Sequence, residues 1–182
     1  MKRFWKDVAV GPDRVVALDG RPVRTPGRVP LSLPTAALAD LVAGEWRDVG
    51  ETVDPRAMPL TGLANAAIDR IAPDPASFAA GLARYGESDL LCYRADSPAE
   101  LVARQAEAWD PPLAWARDRY DVHWEVTTGI VHRPQPPATL ARLEAAVAAL
   151  DPFRLAALSP LVTITGSLVL ALGIVEDAIT PD

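Results

Sequence analysis

Short apolar stretches and turn residues alternate over the first 33 residues, a pattern typical of antiparallel strands. The expected strands cover residues 4–10, 14–18 and 21–25. Asp19-Gly20 predicts a two-residue hairpin turn between the last two, because both positions accept the positive φ angles that such a turn requires. Pro22 cannot donate a ladder hydrogen bond, so we expect the later strands to lie at a sheet edge.

The hydrophobic period becomes helical after Thr35, which is a good N-cap residue. The apolar positions expected on one helix face are Leu38, Leu41, Val42 and Trp46. Gly50 can end this helix, and a proline-punctuated connection follows over residues 51–60. We place a module boundary there, between a small antiparallel β-rich module with one helix at residues 1–52 and a helical domain at residues 53–182. The expected fold class is α+β.

The second part of the chain has a helical pattern almost throughout. The predicted helical segments cover residues 60–71, 75–85, 98–120 and 138–150. The stretch YGESDLLCYRAD, residues 85–96, is expected to continue the second of them. Pro111-Pro112 should bend or break the third, because proline lacks the amide donor and crowds the preceding turn. Residues 121–137 predict a short extended excursion.

Residues 155–175 form an uncharged run of 21 positions, about the length that spans a bilayer. Pro160, Gly166 and several hydroxyl side chains interrupt it, so one continuous apolar helix fits the run poorly. Two shorter helices joined near Thr165-Gly166 and buried against the other helices explain the pattern better. We therefore expect a core helical hairpin and no stable insertion into a membrane.

The composition, 49% hydrophobic and 23% charged, is typical of a folded soluble protein. The formal net charge of −6 argues against a nucleic-acid partner, and the seven basic residues among the first 30 are spread along strand-like sequence without a dense run. A single cysteine allows no internal disulfide, which favours a reducing compartment. The start, MKRFWKDVAV, lacks the apolar run of a secretory leader. We expect a cytoplasmic protein.

Several common catalytic and cofactor motifs are missing from the sequence. Neither lysine follows a glycine, which excludes the Walker A phosphate loop, and no Gly-x-Gly occurs for a dinucleotide. One cysteine with His123 and His132 cannot form a closed structural zinc site without carboxylates. There is also no Gly-x-Ser-x-Gly elbow. We expect no nucleotide, metal or other cofactor.

The stretch at residues 85–96 holds the only cysteine, and it bears on whether the protein is an enzyme. A nucleophilic Cys92 would need a basic partner, and no neighbouring pattern orients either histidine toward it. On a helix Cys92 would share a face with Asp89, and a nearby carboxylate raises the pKa of a thiol and lowers its reactivity. We interpret Cys92 as a core residue.

The acids of the same stretch suggest a second kind of chemistry. Glu87 and Asp89 are two positions apart and would point about 200° apart on a helix, which disfavours an acid–base pair. Asp89 is expected to meet Tyr93 one turn later. Two alternatives stay open: a small cytosolic enzyme with Cys92 or these acids in a cleft, and a small-molecule or lipid-binding helical module that uses the apolar hairpin.

Four stretches in order carry a resemblance to a known family: EWRDVGETVDPRAMPLTGLANAAIDR, YGESDLLCYRAD, RQAEAWDPPLAWA and LSPLVTITGSLVLALGIVE. Together they resemble the assembly chaperone for the alpha subunit of F-type ATP synthase, found in mitochondria as assembly factor two and in alphaproteobacteria. The likeness runs from Phe4 to Glu176 and is to the bacterial branch. The series is specific although no single stretch is.

The resemblance implies a binding protein without catalysis or nucleotide use. The family is thought to hold the unassembled alpha subunit until the beta subunit replaces it during assembly of the catalytic head. Its eukaryotic members are mitochondrial, and a bacterial member is expected in the cytoplasm. This agrees with the missing phosphate loop, because the incoming subunit would supply the free energy of release.

The positions that match the family motifs are candidates for client contact. They are Glu45, Trp46, Glu87, Asp89, Arg94, Trp109 and Trp115. Each could instead be a core residue or an internal brace, and the sequence does not separate these roles. Family members usually continue for tens of residues past the hairpin, through an acidic tryptophan-containing helix associated with client contact. The sequence ends at Thr180-Pro181-Asp182, so either it is truncated or this member is short, and in both cases we expect part of the client surface to be missing.

Overall fold

A computed structural model describes residues 1–181 of the chain. The chain divides into two compact units, Met1–Asp74 and Pro75–Asp182. The first contains a small antiparallel sheet and the second is mostly helical, so the predicted α+β class is confirmed. The module boundary that the sequence predicts after residue 52 stays a prediction.

The sheet of the N-terminal unit has three antiparallel strands in the order β1-β2-β3. They are β1 Val8–Val10, β2 Val16–Leu18 and β3 Arg21–Pro22. Asp19 and Gly20 have φ angles of 47° and 76°, which confirms the predicted two-residue turn. Pro22 lies on the edge strand, as expected. The first strand begins later than predicted, and Phe4 before it is exposed.

Helix α1, Ala36–Asp48, begins as predicted, since the Thr35 hydroxyl accepts a hydrogen bond from the Leu38 amide. Its buried residues are Ala39, Val42, Ala43 and Trp46. The prediction that Leu41 shares this face is wrong, and Leu41 is 60% exposed. Leu41 lies about 200° around the helix from Ala39, because successive residues advance by about 100°.

Helix α2, Pro59–Ala66, continues into one π-helical turn at Ala67–Ile71. This turn presents Asp69 to the strand-rich segment of the same unit. Its carboxylate accepts hydrogen bonds from the Thr25 hydroxyl at 2.6 Å and the Gly27 amide at 2.7 Å. A Cβ atom at Gly27 would lie 2.6 Å from an Asp69 carboxylate oxygen, so this close approach requires glycine.

The C-terminal unit is built mainly from helices. In chain order its regular elements are α3 Pro75–Ala83, β4 Tyr93–Arg94, α4 Ala99–Tyr120, β5 Thr127–Thr128, α5 Pro137–Ala148, α6 Pro152–Thr165 and α7 Leu168–Val175. Strands β4 and β5 pair in parallel, with Tyr93 opposite Thr127. The residues between α3 and β4 form two short 3₁₀ turns, Arg84–Ser88 and Leu90–Cys92. The predicted continuation of the helix through this stretch is therefore wrong.

Helix α4 is continuous over 22 residues and contains both Pro111 and Pro112. The pair therefore does not break the helix, and the expected bend stays a prediction. The two carbonyl groups that lose their amide donors belong to Glu107 and Ala108, and both residues are exposed. Solvent can satisfy these carbonyls, which lowers the cost of the missing hydrogen bonds.

The apolar run at residues 155–175 forms a helical hairpin, as predicted. Gly166, with φ 66°, ends α6, and the Ser167 hydroxyl caps α7 by accepting from the Leu170 amide at 3.1 Å. The residues that this hairpin buries completely include Leu155, Leu158, Val162 and Leu168. Within residues 1–181, no helix has both the length and the apolar character needed to cross a bilayer.

Candidate functional site

Five half-buried aromatic side chains surround one small buried cluster in the C-terminal unit. The cluster consists of Leu91, Cys92, Leu113, Ala116 and Val169. We call the aromatic side chains packed against it the aromatic collar: Tyr93, Trp109, Trp115, Tyr120 and Trp124. Large, partly exposed aromatic residues are the side chains that contribute most to protein–protein binding. The collar is therefore the candidate interaction site.

Helix α4 supplies most of the collar because of its apolar spacing. Trp109, Leu113, Ala116 and Tyr120 are spaced by four, three and four residues, which places them on one helix face. Trp115 stacks edge-to-face on Tyr120, with ring centroids 5.6 Å apart. Both predicted tryptophans of α4 are thus partly buried in the cluster and partly exposed.

Arg94 links strand β4 to helix α4 at the edge of the collar. Its guanidinium lies 5.4 Å from the centre of the Trp109 ring and donates to Asp110 at 2.8 Å and to the Leu91 carbonyl at 2.7 Å. Only 12% of the Arg94 side chain is exposed. These contacts orient the Trp109 ring, so the structure gives Arg94 a bracing role inside the unit.

Asp89 is fully buried and holds the 3₁₀ turns against the hairpin. Its carboxylate accepts hydrogen bonds of 3.0 Å from the Leu91 amide, the Ser167 hydroxyl and the Val169 amide. Burial raises the pKa of this carboxyl, although these hydrogen bonds favour the charged form. The expected contact between Asp89 and Tyr93 is not formed, because the chain between them is not α-helical.

Tyr93 instead extends away from Asp89. Its hydroxyl lies 2.9 Å from Nδ1 of His132, in the segment that follows β5. The pairing of β4 with β5 brings these two side chains together. The Gly129 amide also donates a hydrogen bond to the Arg94 carbonyl, which extends this pairing. One of the two histidines therefore contacts the collar rather than the thiol.

Cys92 is 1% exposed, and burial raises the pKa of its thiol to about 12, with a further contribution from the Asp89 carboxylate. His123 and His132 are both exposed, whereas the thiol is covered. A thiol in this environment is a poor nucleophile at neutral pH. The interpretation of Cys92 as a core residue agrees with its position.

Two predicted candidates, Glu45 and Trp46, lie in the N-terminal unit. Glu45 accepts three hydrogen bonds of 2.7 Å, from the amides of Leu60 and Thr61 and from the Thr61 hydroxyl, at the start of α2. It thereby caps a neighbouring helix. Trp46 is 9% exposed and packs on Trp5 with ring centroids 5.3 Å apart. Both side chains have structural roles within this unit.

Glu87 is the most accessible of the predicted acids. It lies exposed in the first 3₁₀ turn, beside a shallow hollow of about 390 Å³ that Arg84 and Tyr85 also line. This hollow contains neither Cys92 nor a histidine. Glu87 and Asp89 therefore do not form an acid–base pair, since one is exposed and the other is fully buried.

A second hollow, of about 470 Å³, contains three arginines, and each is paired with an acid. Arg119 meets Glu176 at 2.6 Å, and the Tyr120 hydroxyl donates to the same carboxylate at 2.7 Å. The other two ion pairs are Arg142 with Asp121 and Arg154 with Asp151. Because these positive charges are matched, the hollow offers little attraction to an anionic ligand.

The largest of these three hollows is a groove of about 690 Å³ beside the collar. Helix α4 forms one wall, and the extended residues 123–126 form the other. Leu113 and Trp124 contribute to both the groove and the hydrophobic cluster. The indole nitrogen of Trp124 is covered and has no hydrogen-bond partner among residues 1–181.

Three collar residues were missed by the sequence interpretation: Tyr93, Tyr120 and Trp124. The spacing of Tyr120 from Trp109 on α4 was a usable signal. No sequence signal pointed to Trp124, because it lies in an irregular segment. The path of this segment back to α4 depends on the left-handed conformation of Asp121 and on tertiary contacts. One such contact is the 2.7 Å hydrogen bond from the Thr139 hydroxyl to the His123 carbonyl.

The model of the ATP12 chaperone protein family matches residues 2–117. The crystal structure of Atp12 from Paracoccus denitrificans is 49% identical and covers 98% of this chain and 78% of that one, with a TM-score of 0.93. The chain belongs to the ATP12 chaperone family. A mutant form of the P. denitrificans protein matches equally well, over 77% of its length. The Atu1473 protein of Agrobacterium tumefaciens is 41% identical over 99% of this chain and 69% of its own, with a TM-score of 0.92.

Membership in the ATP12 family establishes the class of function. The family consists of non-enzymatic chaperones involved in ATP synthase assembly, and the structurally similar proteins are bacterial. The predicted resemblance is thereby confirmed. The ATP12 match includes both units, because it extends from the N-terminal sheet through Trp109 and Trp115 of α4.

Proposed function

We propose that this ATP12-family chain binds the unassembled alpha subunit of F-type ATP synthase and is displaced by the beta subunit. A ring subunit exposes a large apolar interface before its neighbours arrive, and such a surface aggregates. A chaperone that covers about 800 Å² of it would prevent aggregation and would still be displaced by a larger native contact. Release of this kind needs no nucleotide.

The aromatic collar is the observation that carries the proposal. Its tryptophans and tyrosines are held by a buried cluster, so binding would immobilise few additional side chains. The same unit has further exposed apolar residues after α4, including Val126 beside the collar, Ile130 and Val131. These features fit a broad apolar client surface better than a small substrate.

The candidate contact residues are not equivalent in this proposal. Trp109, Trp115 and Glu87 have exposed surface and are the contacts that we propose. Asp89 and Arg94 would act indirectly, by holding the turns and the Trp109 ring in place. The proposal places the protein in the bacterial cytoplasm, where unassembled subunits are made, and includes no nucleic acid, nucleotide or membrane partner.

Co-purification tests the proposal directly. The chain is expressed with the alpha subunit alone, with the beta subunit alone, or with both. We expect stable capture of alpha, no capture of beta, and release of alpha when folded beta is added without nucleotide. Capture of neither subunit by a folded chain, or release that requires ATP, would contradict it.

A double substitution tests the role of the collar. Trp109→Ala with Trp115→Ala should reduce alpha capture by about tenfold or more, because interface tryptophans are common hot spots. The unfolding transition must be measured for the same variant, since both rings also pack on the cluster. Phe4→Ala is the matched aromatic control, because Phe4 is 68% exposed and belongs to the N-terminal unit.

A further inference from the structure

The groove beside the collar has an apolar interior and charged ends. Leu113, Ala114 and Pro111 of α4 line its middle, and Trp124 and Val126 face them from the extended wall. Val126 is 46% exposed, so this wall remains open to solvent. The interior can therefore bury apolar side chains of an incoming segment.

The two ends of the groove carry opposite charges. Glu107 and Asp110 lie in the middle of α4, at one end of the groove, and Arg117 lies nearer the end of the helix, at the other, where His123 also lines the groove. Asp110 pairs with Arg94, but 65% of its side chain remains exposed. Glu107 and Arg117 make no ion pair among residues 1–181. The groove is thus acidic at one end and basic at the other.

The length of the groove limits what it can hold. Glu107 and Arg117 are ten residues apart on α4, which corresponds to about 15 Å along a helix that rises about 1.5 Å per residue. An extended chain rises about 3.3 Å per residue, so about five residues span the same distance. A single short segment can therefore reach both charged ends.

We propose that the groove binds a short extended segment of the alpha subunit in which an apolar run separates a basic residue from an acidic one. The proposal rests on the function proposed above. The basic residue meets Glu107 and Asp110, the apolar run packs on Leu113 and Trp124, and the acidic residue meets Arg117. A segment with like charges at both ends would meet repulsion at one of them.

Charge substitutions distinguish recognition by the charged ends of the groove from a general effect of the protein's net charge on alpha capture. Glu107→Arg should weaken alpha capture by about tenfold, and Glu107→Arg with Arg117→Glu should weaken it as much or more, although the double variant keeps the original net charge. Glu144→Arg, at an exposed position of α5, changes net charge like the single variant and should leave capture unchanged. Equal effects of Glu107→Arg and Glu144→Arg, or wild-type capture by the double variant, would overturn the proposal.

Photo-crosslinking identifies the bound segment. A benzophenone amino acid replaces Ala114 in the groove or, as a control, exposed Ala148 on α5, and the crosslinked alpha peptide is sequenced by mass spectrometry. We expect one alpha segment at Ala114, with an apolar run between opposite charges, and no crosslink at Ala148. Capture without a crosslink at Ala114, or a crosslinked segment without the charge pattern, would overturn the groove proposal alone. Failure of the wild-type chain to capture alpha would reject the proposed function itself.

Discussion

Asp89 accepts a 3.0 Å hydrogen bond from the hydroxyl of Ser167, which is 78 residues later in the chain. The same hydroxyl accepts from the Leu170 amide, so it caps α7 and binds the buried carboxylate at once. Asp89 also accepts from the Val169 amide in the first turn of α7. One buried side chain therefore fixes the start of the last helix to the turns that lead into the collar.

Removing this carboxylate should destabilise the C-terminal unit strongly. Asp89→Ala leaves the Leu91 amide, the Val169 amide and the Ser167 hydroxyl without their acceptor, and we expect a loss of about 4 kcal/mol in the free energy of unfolding. Ser167→Ala removes the cap and one of these bonds and should cost about 2 kcal/mol. Urea denaturation measures both losses.

The matched control for these substitutions is Glu144→Ala, at an exposed position within α5, which should change the free energy of unfolding by less than about 0.5 kcal/mol. If Asp89→Ala fails to fold, Ser167→Ala supplies the quantitative comparison. Stability of Ser167→Ala equal to that of the control would show that the bond to Asp89 contributes nothing.

The stability that depends on Asp89 should fall as pH rises. Burial raises the pKa of this carboxyl above its ordinary value of 3.8, so above that pH the folded chain holds a proton that the unfolded chain has released. The contribution is complete below about pH 4 and is lost as pH rises through the folded pKa. Unfolding free energies of wild type and Asp89→Asn should therefore converge or cross as pH rises from acidic to neutral values. A wild-type advantage that grows with pH would contradict this expectation.

Cys92 should resist alkylation in the folded protein. Its pKa of about 12, against 9.0 for an ordinary thiol, lowers the thiolate fraction at mildly alkaline pH by about a thousandfold. Iodoacetamide labelling followed by mass spectrometry should be slow in buffer and fast in concentrated urea. Rapid labelling of the folded chain with loss of alpha capture would restore the enzyme alternative.

Two glycines near each other in sequence should respond oppositely to alanine. A Cβ atom at Gly86 would lie 2.8 Å from a methyl group of Leu143, so Gly86→Ala should cost about 2 kcal/mol through overpacking. Gly81 is exposed within α3 and has no atom within 4 Å of such a Cβ, so Gly81→Ala should stabilise by about 0.5–1 kcal/mol. Thermal unfolding of the two variants tests both signs. Stabilisation by Gly86→Ala would contradict the packing at Gly86, and destabilisation by Gly81→Ala would contradict the open space at Gly81.

Local interactions explain which elements could be predicted. Asp19-Gly20, Thr35 and Gly166 each determine a turn or a helix end through the residue's own backbone preference or a hydrogen bond a few residues away. The apolar spacing of α4 likewise predicts a helix face from sequence alone. The motifs that resemble the assembly chaperone family gave the functional class, which the structural matches confirm.

Long-range contacts decided the rest. The local sequence predicted a helix through residues 85–96, but the buried carboxylate of Asp89 finds its partners at Ser167 and Val169, and the chain forms two tight turns instead. Leu41 fits a helix face by hydrophobicity and is exposed because the sheet packs on another face of α1.

The sequence by itself determined the class of most elements and the family, because these follow from residue preferences and motifs that act over a few positions. Only the tertiary structure decided which polar groups are buried together and which tryptophans form the collar. Trp124 and Trp109 reach the same cluster from different segments. No local residue preference predicts the contact of both tryptophans with this cluster, because it depends on how segments distant in sequence pack against each other.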